Sequence, residues 1–101
     1  MSVGHYVGAF FAGAFFLNAI PHFVKGVCGD KFPTPFSKPP GKGLSSAPLN
    51  MVWALFNLLM GDVLWHVSQP MSSYGEMLSF FAGVAARAVV SSVNFQHKHA
   101  A

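Results

Sequence analysis

Two ionisable residues, Asp62 and Arg87, lie inside long apolar stretches of this chain. A charged side chain inside a bilayer costs about 2.5–3.5 kcal/mol on insertion scales, so such residues are functional candidates by default. Helical rise places Asp62 about 20 Å and Arg87 about 12 Å from the same membrane face, and the long Arg87 side chain closes much of that gap. The pattern predicts either a pair, direct or through water, that joins two helices, or a site for a proton or a substrate.

Two asparagines, Asn18 and Asn57, come out at a depth similar to that of Arg87 by the same helical rise. Each of three predicted spans therefore contributes one polar group to a common layer. An interhelical hydrogen-bond network explains this layer without a ligand, at an average of about 0.6 kcal/mol per bond. A pocket for a lipid headgroup or a quinone carbonyl would use the same residues, so both interpretations stay open. With Asp62, these residues form the candidate intramembrane site.

Five histidines raise the question of a metal or a haem. His66 lies one helical turn beyond Asp62, and His5 is predicted at the same membrane boundary, so a bis-histidine haem site between the first two spans is conceivable. Histidines at a membrane interface need no ligand, however. No cofactor is predicted, and haem and quinone stay as alternatives. The single Cys28 excludes an internal disulfide.

The run from Pro40 to Ser46 reads PGKGLSS and precedes a predicted helix. Backbone N–H groups at such a position favour a phosphate, so the run is a candidate site for a lipid phosphate as well as a helix cap. The candidate residues are Lys38, Gly41, Lys42, Gly43, Ser45 and Ser46. A nucleotide P-loop is rejected because Gly43, instead of Ser or Thr, follows Lys42.

The elements that position these residues follow from composition. The chain is 52% hydrophobic and 9% charged, whereas soluble domains have about 25% charged residues. This composition predicts an all-α membrane protein with a single membrane domain over residues 1–101 and no second domain. The spans are expected at about residues 3–24, 49–67 and 74–95, with an ordered Pro/Gly-rich loop at 25–48. Pro21 is expected to kink or end the first helix around residues 18–20.

Four lysines in the first loop determine the predicted orientation: Lys25, Lys31, Lys38 and Lys42. Short loops rich in Lys and Arg stay cytoplasmic, so the N-terminus is expected outside and the C-terminus inside. The net charge of +3 arises mainly in this loop beside apolar spans. It therefore indicates contact with lipid headgroups and not with nucleic acid.

Small residues recur on one side of every predicted span, which permits close approach between helices. They are Gly4, Gly8 and Ala12 in the first span and Ser79, Ala82, Gly83 and Ala86 in the third. In the second span, Asn50, Ala54, Asn57 and Gly61 fall on one helical stripe, which indicates a side that faces protein. Three short helices cannot satisfy all these faces among themselves. The sequence therefore predicts an accessory or scaffold subunit that packs against partner membrane proteins or copies of itself.

The alternative function is binding of a lipid, a quinone, a haem or a transported solute in the polar layer. An enzyme is not expected, because no nucleophile, base and orienting group form a readable arrangement.

Four runs of residues stand out in the first part of the chain: Asn18-Ala-Ile-Pro-His-Phe-Val-Lys-Gly26, Phe32-Pro-Thr-Pro-Phe36, Pro40-Gly-Lys-Gly-Leu-Ser-Ser46, and Asn50-x-x-Trp53 with Asn57-Leu58. Together they resemble a group of small, uncharacterised bacterial multi-pass membrane proteins. The resemblance covers about the first sixty residues and leaves out the third span. It implies a location in the bacterial inner membrane. It implies no functional residue, because the group has no assigned activity.

Overall fold

The computed structural model describes residues 3–40 and 43–96. These residues form α1 (Val3–Val27), α2 (Ala47–Ser68) and α3 (Tyr74–Phe95), with a short 3₁₀ turn at Pro70–Ser72. All three helices are long and apolar enough to cross a membrane. The two shorter ones have 22 residues each, which at about 1.5 Å per residue reach about 33 Å, against a hydrocarbon core of about 30 Å. The predicted all-α class with three candidate membrane spans is confirmed.

The first helix continues through Pro21 and ends at Val27, so the prediction that it could end around residues 18–20 is wrong. Proline removes the hydrogen bond to the carbonyl four residues earlier, but neighbouring helices can compensate for this loss in a membrane. The turn that follows Pro21 is held by packing: His22 is buried, and Gly26 lies against the backbone of Met51 in the first turns of α2.

The contact between α1 and α2 follows the small residues of both helices. The predicted stripe of Asn50, Ala54, Asn57 and Gly61 is buried along α2, as the helical spacing indicates. Gly61 leaves room for the Phe16 ring, and Gly8 of α1 lies against Ser68. Small residues at these positions let the two backbones approach closely.

The contact between α1 and α3 centres on Gly13 and Gly83. A Cβ atom at Gly83 would overlap the carbonyl of Phe10, and one at Gly13 would overlap the carbonyl of Phe80. Ser79 strengthens the crossing, since its hydroxyl donates to the Tyr6 carbonyl at 2.6 Å. The third span therefore buries part of the small-residue side that was predicted.

Two members of that predicted side face away from α1. Ala82 and Ala86 are exposed, so the prediction that they share the packed side with Gly83 is wrong for these two residues. The buried residues of α3 are Glu76, Gly83 and Ser91. They occur seven or eight residues apart, so one narrow line of α3 lies against α1.

The helices are arranged with α1 in the middle. It packs against both α2 and α3, while those two helices meet chiefly through side chains, as in the edge-to-face contact of Trp65 and Phe80 at 5.0 Å between ring centroids. We call the end where α1 ends and α2 begins the loop end. The opposite end, where the 3₁₀ turn joins α2 to α3, is the turn end.

The segment between α1 and α2 is connected to the helices by specific hydrogen bonds. Phe32 and Ser45 exchange two backbone bonds of 3.2 and 3.0 Å, and the hydroxyls of Thr34 and Ser45 lie 2.6 Å apart. Ser46 caps α2, as predicted, by accepting from the backbone N–H of Leu49. These bonds fix where the start of α2 lies relative to the end of α1.

Candidate functional site

A continuous hydrogen-bonded layer joins the three helices. The guanidinium of Arg87 donates from Nε and Nη2 to Oδ1 of Asn18, at 3.0 and 2.7 Å. Nδ2 of Asn18 donates to Oδ1 of Asn57 at 2.9 Å, and Nδ2 of Asn57 donates to the Trp53 carbonyl at 2.7 Å. The structure thus brings together three of the four predicted intramembrane residues, one from each helix.

These three residues lie at nearly one depth. Asn18 is nine residues before the end of α1, Asn57 ten residues after the start of α2, and Arg87 eight residues before the end of α3. At about 1.5 Å per residue, these positions are about 12–15 Å from the loop end. The guanidinium therefore lies well inside the apolar part of the bundle and points to Asn18 instead of extending to the membrane surface.

The charge of Arg87 is not neutralised by a carboxylate within the part of the chain that the structure describes. A guanidinium has five N–H donors, and the structure assigns two of them, both to Asn18. Three donors on a half-buried side chain are therefore open to a further acceptor. The layer can hold an anion or a carbonyl oxygen.

The fourth predicted residue, Asp62, lies elsewhere. Its carboxylate is 3.3 Å from Nε2 of His66, one turn further along α2, and the two side chains are 60% and 73% exposed. No direct ion pair joins Asp62 to Arg87 within the described residues, so the direct form of the predicted pair is absent, and a pairing through water stays a prediction. Asp62 and His66 face outward from α2, one helical turn apart.

The two candidate haem ligands both lie toward the turn end, His5 in α1 and His66 in α2, and their role as a haem pair stays a prediction. His66 is exposed beside Asp62, and His5 is half-buried in the first turns of α1. Within residues 3–40 and 43–96, no group of three or more His, Cys, Asp and Glu side chains could hold a metal ion. An open groove of about 260 Å³ between α1 and α2 is lined by apolar side chains alone, so it offers a quinone no hydrogen-bond donor.

A second buried polar group, which the sequence did not reveal, lies at the loop end. A ring nitrogen of His22 is 2.8 Å from Oδ1 of Asn50. Nδ2 of Asn50 in turn approaches three carbonyl oxygens of the connecting segment and the start of α2, namely those of Phe32, Ser45 and Ser46, at 2.9–3.2 Å. Asn50 therefore fastens the segment to the helices.

Aromatic rings enclose His22 on several sides. The ring centroids of Phe32, Trp53 and Phe95 lie 5.4, 6.4 and 6.0 Å from that of His22. Because the imidazole is 1% exposed, we interpret this cluster as part of the core. The spacing of His22 in the sequence gave no sign of its contact with Asn50, which lies 28 residues away.

Glu76 is a third buried polar residue, at the turn end. Its side chain is 0% exposed, with Oε2 at 3.1 Å from the Ser72 hydroxyl and Oε1 without a hydrogen-bond partner. Ser73 caps α3 by accepting from the Glu76 backbone N–H. The spacing Ser73-x-x-Glu76 is that of a capping box, a signal that could have indicated this arrangement from sequence.

The candidate residues for a lipid phosphate are only partly placed. Gly41 and Lys42 lie outside the described residues. Lys38 is exposed, the Gly43 N–H donates to the Pro39 carbonyl at 2.8 Å, and Ser46 serves as the cap of α2. Ser45 is 5% exposed, so its hydroxyl faces Thr34 and not the surface.

Comparison with known proteins found no relative of this chain. No protein-family model matches the chain, and neither the curated proteins nor the solved structures include a similar one. The geometry of the polar layer and of the exposed helix faces is therefore the basis for a function.

Proposed function

We propose that this chain is a small membrane subunit that assembles with other transmembrane helices, from a partner protein or from further copies of itself. In this role it is an accessory or scaffold component. The observation that supports the proposal is the one-sided packing of α3. In the most apolar eighteen-residue window of α3, 6% of the residues are buried, against 28% in α1. One whole side of α3 is available to another helix.

The exposed side of α3 has the composition of a helix contact. Ala82 and Ala86 lie one turn apart on it, between the larger Leu78, Phe81 and Val89, which are 51–66% exposed. Lipid chains are as apolar as leucine, so exposure to lipid alone gives no reason for small residues. Paired small residues allow a second backbone to come close, and the larger neighbours pack around it.

We extend the proposal to location and orientation. The resemblance to small bacterial membrane proteins implies the inner membrane of a bacterium. The lysine-rich loop favours an orientation with the loop end at the cytoplasmic face and the N-terminus outside. Lys31 and Lys38 are exposed at the loop end, where lipid phosphates would be their counterions.

The test is native mass spectrometry of the protein, extracted gently from its own membrane. We expect a defined oligomer or a complex with a partner chain. The double variant Ala82→Leu with Ala86→Leu fills the exposed side of α3 and should shift the population to the monomer. Val52→Leu with Val63→Leu, on the exposed side of α2, is the matched control and should leave the assembly intact. A wild-type protein that is strictly monomeric and retains no partner would contradict the proposal.

One observation favours a second candidate, the binding of a small molecule such as a lipid, a quinone or a transported solute. The three open donors of Arg87 beside Asn18 and Asn57 suit a carbonyl or an anionic group. In that case, the same mass spectra would show a small molecule bound at fixed stoichiometry. Arg87→Leu would remove this molecule without changing the oligomeric state.

A further inference from the structure

The guanidinium of Arg87 presents one edge to the protein and leaves the other open. Nε and Nη2 both donate to Oδ1 of Asn18, so the Nε side is occupied. The structure records no hydrogen bond from Nη1, although it describes the whole side chain. The open edge, formed by Nη1 and Nη2, has the geometry that receives the two oxygens of a carboxylate in parallel.

Within residues 3–40 and 43–96, no carboxylate meets that edge. The chain has three acidic residues, which are Asp30, Asp62 and Glu76. Asp30 lies in the connecting segment beyond the end of α1, and Asp62 contacts His66. Glu76 is eleven residues before Arg87 on α3, which corresponds to about 16 Å along the helix. The described part of the chain therefore supplies no counterion for Arg87.

The depth of the charge restricts the source of that counterion. Arg87 lies about 12 Å from the loop end of α3, and its bonds to Asn18 keep it from reaching the lipid phosphates. A second copy in parallel orientation would offer Asp62, but that residue is five residues further from the loop end than Asn57. This difference is about 8 Å along the helix. Because Asn18 holds the guanidinium at the level of the polar layer, the side chain of Arg87 does not extend toward Asp62.

We propose that the open edge of Arg87 binds the carboxylate of an Asp or Glu residue inside a transmembrane helix of a partner protein. This proposal rests on the assembly function above and specifies the partner by its chemistry. A carboxylate carried on a helix can be presented at any depth, and pairing would remove the cost of both isolated charges. The partner helix is then expected to carry its acidic residue at the level of the Asn18 and Asn57 layer.

The experiment uses a synthetic transmembrane peptide as a probe. The full-length protein is labelled at Cys28, which is exposed, and is reconstituted in phosphatidylcholine vesicles with a Leu/Ala peptide that carries one Asp at the depth of Arg87. Association is measured by energy transfer between the two labels. One control peptide has Asn at the same position. The other has the Asp about seven residues, or about 10 Å, nearer the turn end.

We expect the Asp peptide to bind the wild-type protein at least about tenfold more tightly than either control peptide. Arg87→Met should abolish the difference, and Arg87→Lys should retain part of it because the charge persists. Equal binding of all three peptides to the wild-type protein would overturn the proposal, and this comparison does not depend on the folding of any variant.

Vesicles that also contain phosphatidylglycerol test whether the counterion of Arg87 is a lipid phosphate instead of a carboxylate on a partner helix. If phosphatidylglycerol removes the preference for Asp and stays bound to the wild-type protein but not to Arg87→Met, a lipid phosphate occupies the site and the proposal falls. The assembly function is tested separately through Ala82 and Ala86 in the native membrane. An intact native complex together with no preference for Asp would overturn this inference and leave the proposed function standing.

Discussion

At the scale of single residues, Asn18 makes the central contact of the molecule. Its amide accepts from Arg87 and donates to Asn57, so one short side chain serves the helices on both sides of α1. An amide supplies an acceptor and a donor at the same distance from the backbone. A carboxylate would pair well with Arg87 but would place an acceptor against Oδ1 of Asn57, and an apolar side chain would serve neither neighbour.

The first prediction concerns Asn18→Leu. We expect it to lower the free energy of unfolding by about 1–3 kcal/mol, because the charged donors of Arg87 and the carbonyl oxygen of Asn57 lose their partner. The measurement is SDS-driven unfolding in mixed micelles. The control is Asn94→Leu, at an exposed position of α3, which should change stability by less than about 0.5 kcal/mol. Equal effects of the two substitutions would show that the layer does not stabilise the fold.

Glu76→Gln provides a second prediction. The carboxylate at the start of α3 gains about 0.3–1 kcal/mol from the helix dipole, but a buried charge without a counterion costs several kcal/mol. The second effect is larger, so the neutral and nearly isosteric glutamine should give equal or higher stability in the same assay. Glu76→Ala should lower stability, since it leaves a cavity beside Ser72. A large loss for the glutamine variant would reveal a cationic partner of Glu76.

Asn57 and Asp62 differ in how much of their position could be predicted from the sequence. Helical rise gave the depth of Asn18, Asn57 and Arg87 within a few ångströms, and these residues do meet. Depth alone does not determine direction, however. Asp62 is five residues after Asn57 on α2, a rotation of about 140°, so it faces outward when Asn57 faces inward. The contact between His22 and Asn50 depends on how the connecting segment folds, and no periodic pattern reports that.

At the scale of helices, the crossing of α1 and α3 depends on Gly83. Gly83→Ala places a methyl group against the Phe10 carbonyl, and because backbone cannot move aside easily, we expect a loss of about 1–3 kcal/mol. Ala82→Leu, at the adjacent exposed position, adds more atoms but should leave the stability of the isolated chain unchanged. A tolerated Gly83→Ala would mean that α3 can move away from α1 at little cost.

The buried side of a helix could be predicted from the sequence for α2 but only in part for α3. The buried stripe on α2 follows directly from spacings of three and four residues. On α3, Gly83 could be identified as a contact residue, but the neighbouring alanines could not be assigned to a side, because small residues occur on both. The predicted end of α1 near Pro21 is wrong because a local rule about proline carries no information on the neighbouring helix that supports the following turn. The alternative, a kink at Pro21, stays a prediction.

At the scale of the whole molecule, its two ends differ in charge. Exposed Lys31 and Lys38 lie in the connecting segment at the loop end. The turn end is formed by residues 69–73, which read QPMSS and contain no Lys or Arg. Because α1 packs against both α2 and α3, the three helices can cross the bilayer as one bundle. The lysine-rich segment then lies on one side of the membrane and the turn without Lys or Arg on the other. The difference in basic residues is the feature that orients short multi-span chains during insertion.

The last prediction tests this orientation with cysteines at the two ends. Cys28 is exposed at the loop end, and Met71 is exposed at the turn end. A membrane-impermeant maleimide should label Cys28 in inverted vesicles and not in intact cells. Met71→Cys, combined with Cys28→Ser, should give the opposite result, and the same protein solubilised in detergent should react in both forms. Labelling of Cys28 from outside intact cells would reverse the proposed orientation and place the lysine-rich segment outside the cell.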